Sequence, residues 1–142
     1  MFGPPGNGKT LLAKAVACES GMKFFNVSIG TLVNKYVGES EKMLRSIFEL
    51  ATLCQPSVIF IDEIDSFMRK RSENEEDYSR RLKTEFLCQF DGVNSGKNER
   101  WVFVIAATNR PQDLDSAVLR RFDQRILIDV PTQEDRVLLL NS

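Results

Sequence analysis

The sequence predicts an α/β domain, a parallel sheet covered by helices on both faces. Three observations lead there. Short apolar, β-rich runs alternate along the chain with helical patterns. Two of the runs, Val58-Ile59-Phe60-Ile61 and residues 101–107, hardly alternate between apolar and polar, as strands buried on both faces do. A glycine-rich turn stands directly before the first helical pattern. At 142 residues the chain is long enough for one domain with a real core.

The elements follow in order. Residues 10–20 read as a helix with Leu11, Leu12, Ala15 and Val16 on one apolar face and Gly21 as its stop. Residues 24–27 read as a strand. Residues 41–54 carry Leu44, Ile47, Phe48 and Ala51 at helical spacing, with Pro56 just beyond. After the strand at 58–61, residues 79–90 carry Leu82, Phe86, Leu87 and Phe90 and break at Gly92. The strand at 101–107 leads to a short capped helix over 115–122 and a further strand over 125–130, closed by Pro131. Thr132 is the cap of one more helix, cut off at Ser142. The polar stretches 72–77 and 94–100 read as loops, and no internal repeat is visible.

Composition excludes several function classes. The net charge is −1, so bulk charge argues neither for nucleic acid nor for a membrane surface. The absence of histidine removes Ser–His and Cys–His nucleophiles and every His-based metal site. Cys18, Cys54 and Cys88 form no CxxC and read as small apolar residues on helices, kept reduced in a cytosol or nucleus. The opening residues lack the charged and apolar regions of a targeting segment, and the longest apolar run, 101–107, is too short to span a bilayer.

Gly3-Pro4-Pro5-Gly6-Asn7-Gly8-Lys9-Thr10 matches GxxxxGK[ST]. Glycines let backbone N–H groups turn inward around phosphate oxygens, and the helix that follows adds its positive end. Lys9 can reach the β- and γ-phosphates, and the Thr10 hydroxyl can hold Mg²⁺. The bland alternative is a Gly-rich turn that merely precedes a helix. Only Met1 and Phe2 stand before Gly3, where a phosphate loop is normally fed by a buried strand, so the sequence reads as a fragment.

A buried strand runs straight into Asp62 and Glu63, and ligands of open parallel sheets bind beyond the carboxyl ends of strands. Two carboxylates there call for a cation. Asp62 would hold Mg²⁺ and Glu63 would activate the attacking water. A helix N-cap at the strand exit explains one carboxylate, not both. Asn109, at the tip of the next strand, offers a neutral donor and acceptor beside a γ-phosphate, although an Asn before Arg110-Pro111 also serves as a turn residue. Arg120 and Arg121 suit either a helix C-terminus or an arginine finger aimed at a neighbouring subunit, and residue physics alone does not choose.

These motifs converge. GPPGNGKT, VIFIDEID, AATNRPQDLD and AVLRRFDQRI, in this order and spacing, resemble the AAA module of P-loop ATPases, and the resemblance covers nearly the whole chain. NKYVGESEKMLRSIF and SRRLKTEFLCQFDGV resemble its meiotic branch. Within that branch, Asn7 and residues 90–93 are most like the microtubule-severing ATPases, with the ATPases that disassemble ESCRT-III filaments close behind.

The resemblance implies a P-loop NTPase fold of three α/β/α layers, truncated at both ends. Residues 1–142 would be a partial large subdomain, without most of the first strand and the helical lid. It implies ATP and Mg²⁺ as cofactors, with Gly3 to Thr10 and Leu11 binding nucleotide and Thr10 and Asp62 holding the metal. Glu63 and Asn109 would act on the attacking water. Arg120 and Arg121 would reach the next protomer's ATP, which makes the parent protein a homo-hexamer. Lys35, Tyr36 and Val37 would form a pore loop, with Arg80 and Arg81 lining the same pore and gripping acidic tails such as tubulin's. The implied protein is associated with the cytoskeleton, in the cytoplasm or nucleus. It contacts no nucleic acid and no membrane through this segment. By itself the segment is expected to hydrolyse ATP poorly or not at all. The alternatives are ESCRT-III disassembly and a nucleotide-binding scaffold without turnover. A GTPase is disfavoured, because Asn34-Lys35 is not followed by x-Asp.

Overall fold

A computed structural model describes residues 1–28, 39–68, 77–94 and 101–140. The element order is α1 (Lys9–Glu19), β1 (Lys23–Ser28), α2 (Glu39–Leu53), β2 (Ser57–Asp62), α3 (Asp77–Asn94), β3 (Val102–Ala106), the single turn α4 (Ser116–Leu119) and α5 (Gln133–Leu140). Short 3₁₀ turns at Ile64–Ser66 and Pro111–Asp113 follow the tips of β2 and β3. The predicted loops lie mostly outside the described residues.

The strands form one parallel sheet in the order β1-β2-β3, with Phe24 opposite Val58 and Ile59 opposite Val104. Its central strand shows why three layers form. Val58, Ile59, Phe60 and Ile61 are all buried, and successive side chains of a strand point to opposite faces. Ile59 and Ile61 enter the main core with Leu44 and Phe48 of α2 and Leu82 and Phe86 of α3. Phe60 enters a second core with Ala13 of α1 and Ala107, and Phe24 stacks on it at 5.9 Å. A chain of aromatic contacts binds the main core. Phe86 meets Phe48, Phe67 and Phe90 at ring separations of 6.0, 5.8 and 5.9 Å. Phe90 then meets Phe122 at 5.1 Å.

Several sequence expectations are corrected. The inner face of α1 is Ala13 and Ala17, not Leu11, Leu12, Ala15 and Val16; Leu11 is 72% exposed. Small residues let the helix backbone lie close on Phe60 and Ala107, and apolar spacing alone does not distinguish that close face from the leucine face. The strand β3 is covered unevenly, since Phe103 is exposed, as is Trp101 just before the strand. Phe103 stands opposite Val58, on the α1 side of the sheet, but α1 packs chiefly over β1 and β2. Helix α3 runs through Gly92 to Asn94, and Val93 is buried just beyond the glycine. A mid-helix glycine costs only about 1 kcal/mol against alanine, less than one buried side chain contributes.

The expected strand over 125–130 reduces to a single parallel bridge, Phe2 to Leu127. The backbone beside it is Met1-Phe2, too short for a ladder. That pair lies between the end of β3 and Leu127, since Phe2 also bridges Thr108 in parallel. The helix expected over 115–122 is one turn, capped by Asp115, whose side chain accepts from the Ala117 N–H at 2.9 Å. Thr132 caps α5 reciprocally with Asp135, the Asp135 N–H donating to Thr132 Oγ1 at 3.2 Å and the Thr132 N–H to Asp135 Oδ2 at 3.0 Å. The three cysteines are exposed rather than packed, and Cys54 lies just past the end of α2.

Candidate nucleotide-binding site

The loop preceding α1 is shaped by left-handed backbone at Gly6 (φ 80°) and Gly8 (φ 78°), which residues with a Cβ rarely adopt. Gly8 is the N-cap of α1, so the loop delivers the chain directly to a helix N-terminus. Pro4 and Pro5 are exposed, and with its side chain in solvent Leu11 offers the site only its first-turn backbone. Gly3 does something else. Its N–H donates to the Thr108 carbonyl at 3.3 Å, and a Cβ placed on it would lie 2.0 Å from the Ile128 carbonyl oxygen. This glycine therefore serves close approach of two backbones. Asn7 leans the same way, its Nδ2 donating to Ile128 O at 3.4 Å. Lys9 is buried, and its Nζ donates to the carbonyls of Gly3 at 3.0 Å and Pro4 at 2.7 Å, so the desolvated ammonium keeps partners.

The strand β2 ends on Asp62, and there the loop and the acids meet. The Thr10 hydroxyl donates to Asp62 Oδ2 at 2.8 Å, across 52 positions of sequence. Lys9 is thereby held next to the acidic strand end. Asp62 Oδ1 accepts from the Glu63 N–H at 3.0 Å. Glu63 has left-handed backbone, φ 50° and ψ 43°, the one described non-glycine residue with positive φ. Such a conformation costs on the order of 1–3 kcal/mol and persists where its surroundings enforce it. They do: the Ser66 N–H donates to Glu63 O at 2.8 Å and the Ile64 N–H to Ala107 O at 3.1 Å. The carboxylate of Glu63 is exposed and caps no helix.

Asn109 is exposed at the tip that follows β3, one residue beyond Thr108. Arg120, the C-cap of α4, is exposed too. Its neighbour is engaged within the chain: Arg121 Nε and Nη2 donate to the two oxygens of Asp91 at 2.7 and 2.8 Å, and Nη1 donates to Ala117 O at 2.9 Å. The hydrogen-bonded guanidinium lowers the Asp91 pKa, and Asp91 raises that of Arg121. Arg80 and Arg81 are exposed near the start of α3, where they line a cleft with Glu41, Thr84 and Glu85. Lys35, Tyr36 and Val37 lie outside the described residues. Sequence reasoning missed three residues here: Asp65, Asp91 and Thr108. The position of Thr108 directly after a buried strand and beside Asn109 was the available signal. Nothing local in the sequence marked Asp91.

Thr10 and Asp62 supply hard oxygen donors from two elements, a set that suits Mg²⁺, which takes one or two protein groups and fills its other positions with phosphate and water. Among the described residues no cluster of three or more acidic or cysteine side chains offers a rival metal site. No described helix is long and apolar enough to cross a membrane.

Comparisons with known proteins identify the family. The ATPase family associated with various cellular activities (AAA) matches residues 1–130. Spastin of Danio rerio is 63% identical over 142 residues, which is 100% of this chain and 25% of that protein. Spastin of Homo sapiens is 59% identical over the same span, 23% of its length. The chain thus spans about a quarter of the curated relatives it matches. A crystal structure of the FIGL-1 AAA domain in complex with ADP superposes with a TM-score of 0.86 at 48% identity, covering 99% of this chain and 45% of that one. With its glycine loop set against the acidic end of a buried parallel strand, and with the family pattern running through 130 of its residues, the chain is a member of the AAA family.

Proposed function

We propose that this chain is the nucleotide-binding part of a Mg²⁺-dependent ATPase whose turnover drives mechanical remodelling of a protein polymer, with microtubules as the polymer. The observation that carries the nucleotide chemistry is the Thr10–Asp62 hydrogen bond, which sets the phosphate loop against the acids that end β2. The high identity to spastin and the ADP-bound FIGL-1 relative support it.

The residues divide the work. The loop from Gly3 to Gly8, with the first turn of α1 through Leu11, receives the phosphates. Lys9 exchanges its carbonyl partners for phosphate oxygens. Thr10 and Asp62 would hold Mg²⁺, which would neutralise charge developing on the phosphates. Glu63 accepts a proton from the attacking water, and Asn109 orients that water. Arg120 extends toward a neighbouring copy's nucleotide, so that a ring of six completes each site. Arg121 supports it from behind. Lys35, Tyr36, Val37, Arg80 and Arg81 engage the acidic tails of the polymer, and the protein works at the cytoskeleton.

Glu63→Gln in the whole parent protein tests this. Nucleotide should remain bound while turnover stops, a loss of about 10²–10⁴-fold for removing a general base. Normal turnover rejects the assignment. Severing of stabilised microtubules by the unaltered protein tests the polymer, and activity on ESCRT-III filaments alone would replace it.

A further inference from the structure

We infer that Thr108 is a positioning residue for hydrolysis, a relay that holds the phosphate loop, the acidic turn and Asn109 in one geometry. The inference rests on the hydrolytic role proposed above for Glu63 and Asn109. Thr108 is 5% exposed, and every polar group it has is used. Its carbonyl accepts from the Gly3 N–H at 3.3 Å, and its N–H donates to Met1 O at 3.2 Å, so its backbone grips the entry to the phosphate loop on both sides. Its hydroxyl donates to Asp65 Oδ1 at 2.6 Å, which ties it to the turn carrying Glu63. The same oxygen accepts from the Arg110 N–H at 2.9 Å.

This last contact spans residues 108 and 110 and closes a small ring around Asn109. The direction in which the Asn109 amide leaves the backbone is therefore set by the Thr108 hydroxyl. Asp65 lies two residues beyond Glu63, and the Ile64 N–H between them bonds to Ala107 O, next to Thr108. The Ala107 N–H also donates to Ile61 O at 2.8 Å, so the tips of β2 and β3 are joined by two backbone bonds at Ala107 and by the hydroxyl bond. Removing the hydroxyl leaves the backbone bonds intact and releases the other. The spacing of Glu63 and Asn109, the two groups that must share one water, then loosens. Nucleotide binding relies on Lys9 and the glycine loop, which the hydroxyl does not touch.

The test uses Thr108→Val and Thr108→Ser in the whole parent protein, with ATP turnover and nucleotide affinity measured together. Valine keeps the shape without the hydroxyl; serine keeps the hydroxyl. The expected result is a fall in kcat of about 10- to 100-fold for Thr108→Val, with affinity changed less than about twofold and most of the loss recovered in Thr108→Ser. Asp65→Ala removes the same hydrogen bond from its other end and should give a similar loss, with no further loss in the double variant. Full turnover in Thr108→Val overturns the inference. So do equal losses in the valine and serine variants, a parallel loss of nucleotide binding, or additive losses in the double variant. Glu63→Gln is measured alongside. If it stops turnover while Thr108→Val does not, the relay alone is rejected; if it turns over normally, the hydrolytic role and the relay fall together.

Discussion

Gly3→Ala isolates a feature that the motif hides. The first glycine of a phosphate loop is expected to open a backbone cradle, yet here its space is filled by the chain returning past it. A Cβ would stand 2.0 Å from the Ile128 oxygen and 2.9 Å from the Ile128 carbon. Carbon and oxygen in ordinary contact stand about 3.3 Å apart or more, so the two backbones must separate by about 1.3 Å. That separation breaks the bonds joining them, Phe2 N–H to Ile126 O at 2.9 Å and Ile128 N–H to Phe2 O at 2.8 Å. Each contributes about 0.5–1.5 kcal/mol. The backbone itself, at φ 148°, adds on the order of 1–3 kcal/mol once a side chain is present. The expected destabilisation is therefore about 4 kcal/mol, or a melting temperature lower by roughly 10–20 °C for a domain of this size.

Gly6→Ala is the internal control, because nothing lies within 4 Å of its Cβ and only the left-handed dihedral is charged, at about 1–2 kcal/mol. Thermal unfolding followed by circular dichroism measures both variants beside the parent. Gly6→Ala should melt only roughly 3–8 °C below the parent, well above Gly3→Ala, and lose nucleotide affinity as well. A Gly3→Ala protein that melts with Gly6→Ala, or within about 2 °C of the parent, would refute the steric account.

Three further outcomes are expected. Asp91→Asn weakens the pairing with Arg121; because Asp91 is half exposed the stability loss should stay below about 1 kcal/mol, read by urea unfolding, while ring-dependent turnover falls more. The pH dependence has a definite sign: the Asp91 pKa is lowered in the folded state, so its contribution is complete above the ordinary aspartate range and disappears as pH falls through the depressed folded value. The stability difference between parent and Asp91→Asn should therefore be flat at neutral pH and shrink in strong acid, which unfolding at a series of pH values checks. Phe86→Ala, at the centre of the aromatic chain, should cost about 3–5 kcal/mol and lower the melting temperature by roughly 10–20 °C, whereas Leu11→Ala on the exposed face of α1 should change little.

What the sequence made legible was whatever depends on local order. The run 58–61 announced a strand buried on both faces, and its exit into Asp62-Glu63 placed the acids at the sheet's carboxyl end. The helical spacing of Leu44, Ile47, Phe48 and Ala51 named the inner face of α2, with Ile47 at its half-buried edge. Failure came where a neighbour distant in sequence decides. Leu11, Leu12 and Val16 make the more hydrophobic stripe on α1, but the sheet beneath demands a close approach that only Ala13 and Ala17 allow. Residues 125–130 have strand composition, but hydrogen bonding needs a partner, and Met1-Phe2 supplies one bridge. The ion pair of Arg121 with Asp91 joins residues 30 apart that share no motif. In the site, residue types and their order were readable, while the hydroxyl contacts that fix their mutual geometry were not.

The two arginines show how such distant contacts organise function. Adjacent residues at the end of a helix point about 100° apart, so Arg120 and Arg121 cannot serve one target equally. Arg121 turns inward and clamps α4 to α3 through both oxygens of Asp91, and the Phe90–Phe122 contact locks the same junction from its apolar side. Arg120 is left on the surface of a turn whose position is set from the other end as well. The Asp115 N–H that opens α4 donates to Met68 O at 2.9 Å, and the Met68 N–H donates to Ile64 O at 3.0 Å, one residue past Glu63. Met68 is fully buried, so this path is packed rather than solvated. A displacement of the strained turn at Glu63 therefore has a contiguous route through Ile64 and Met68 to the helix that bears Arg120. The route joins the place where phosphate chemistry is proposed to the surface that is proposed to face another copy.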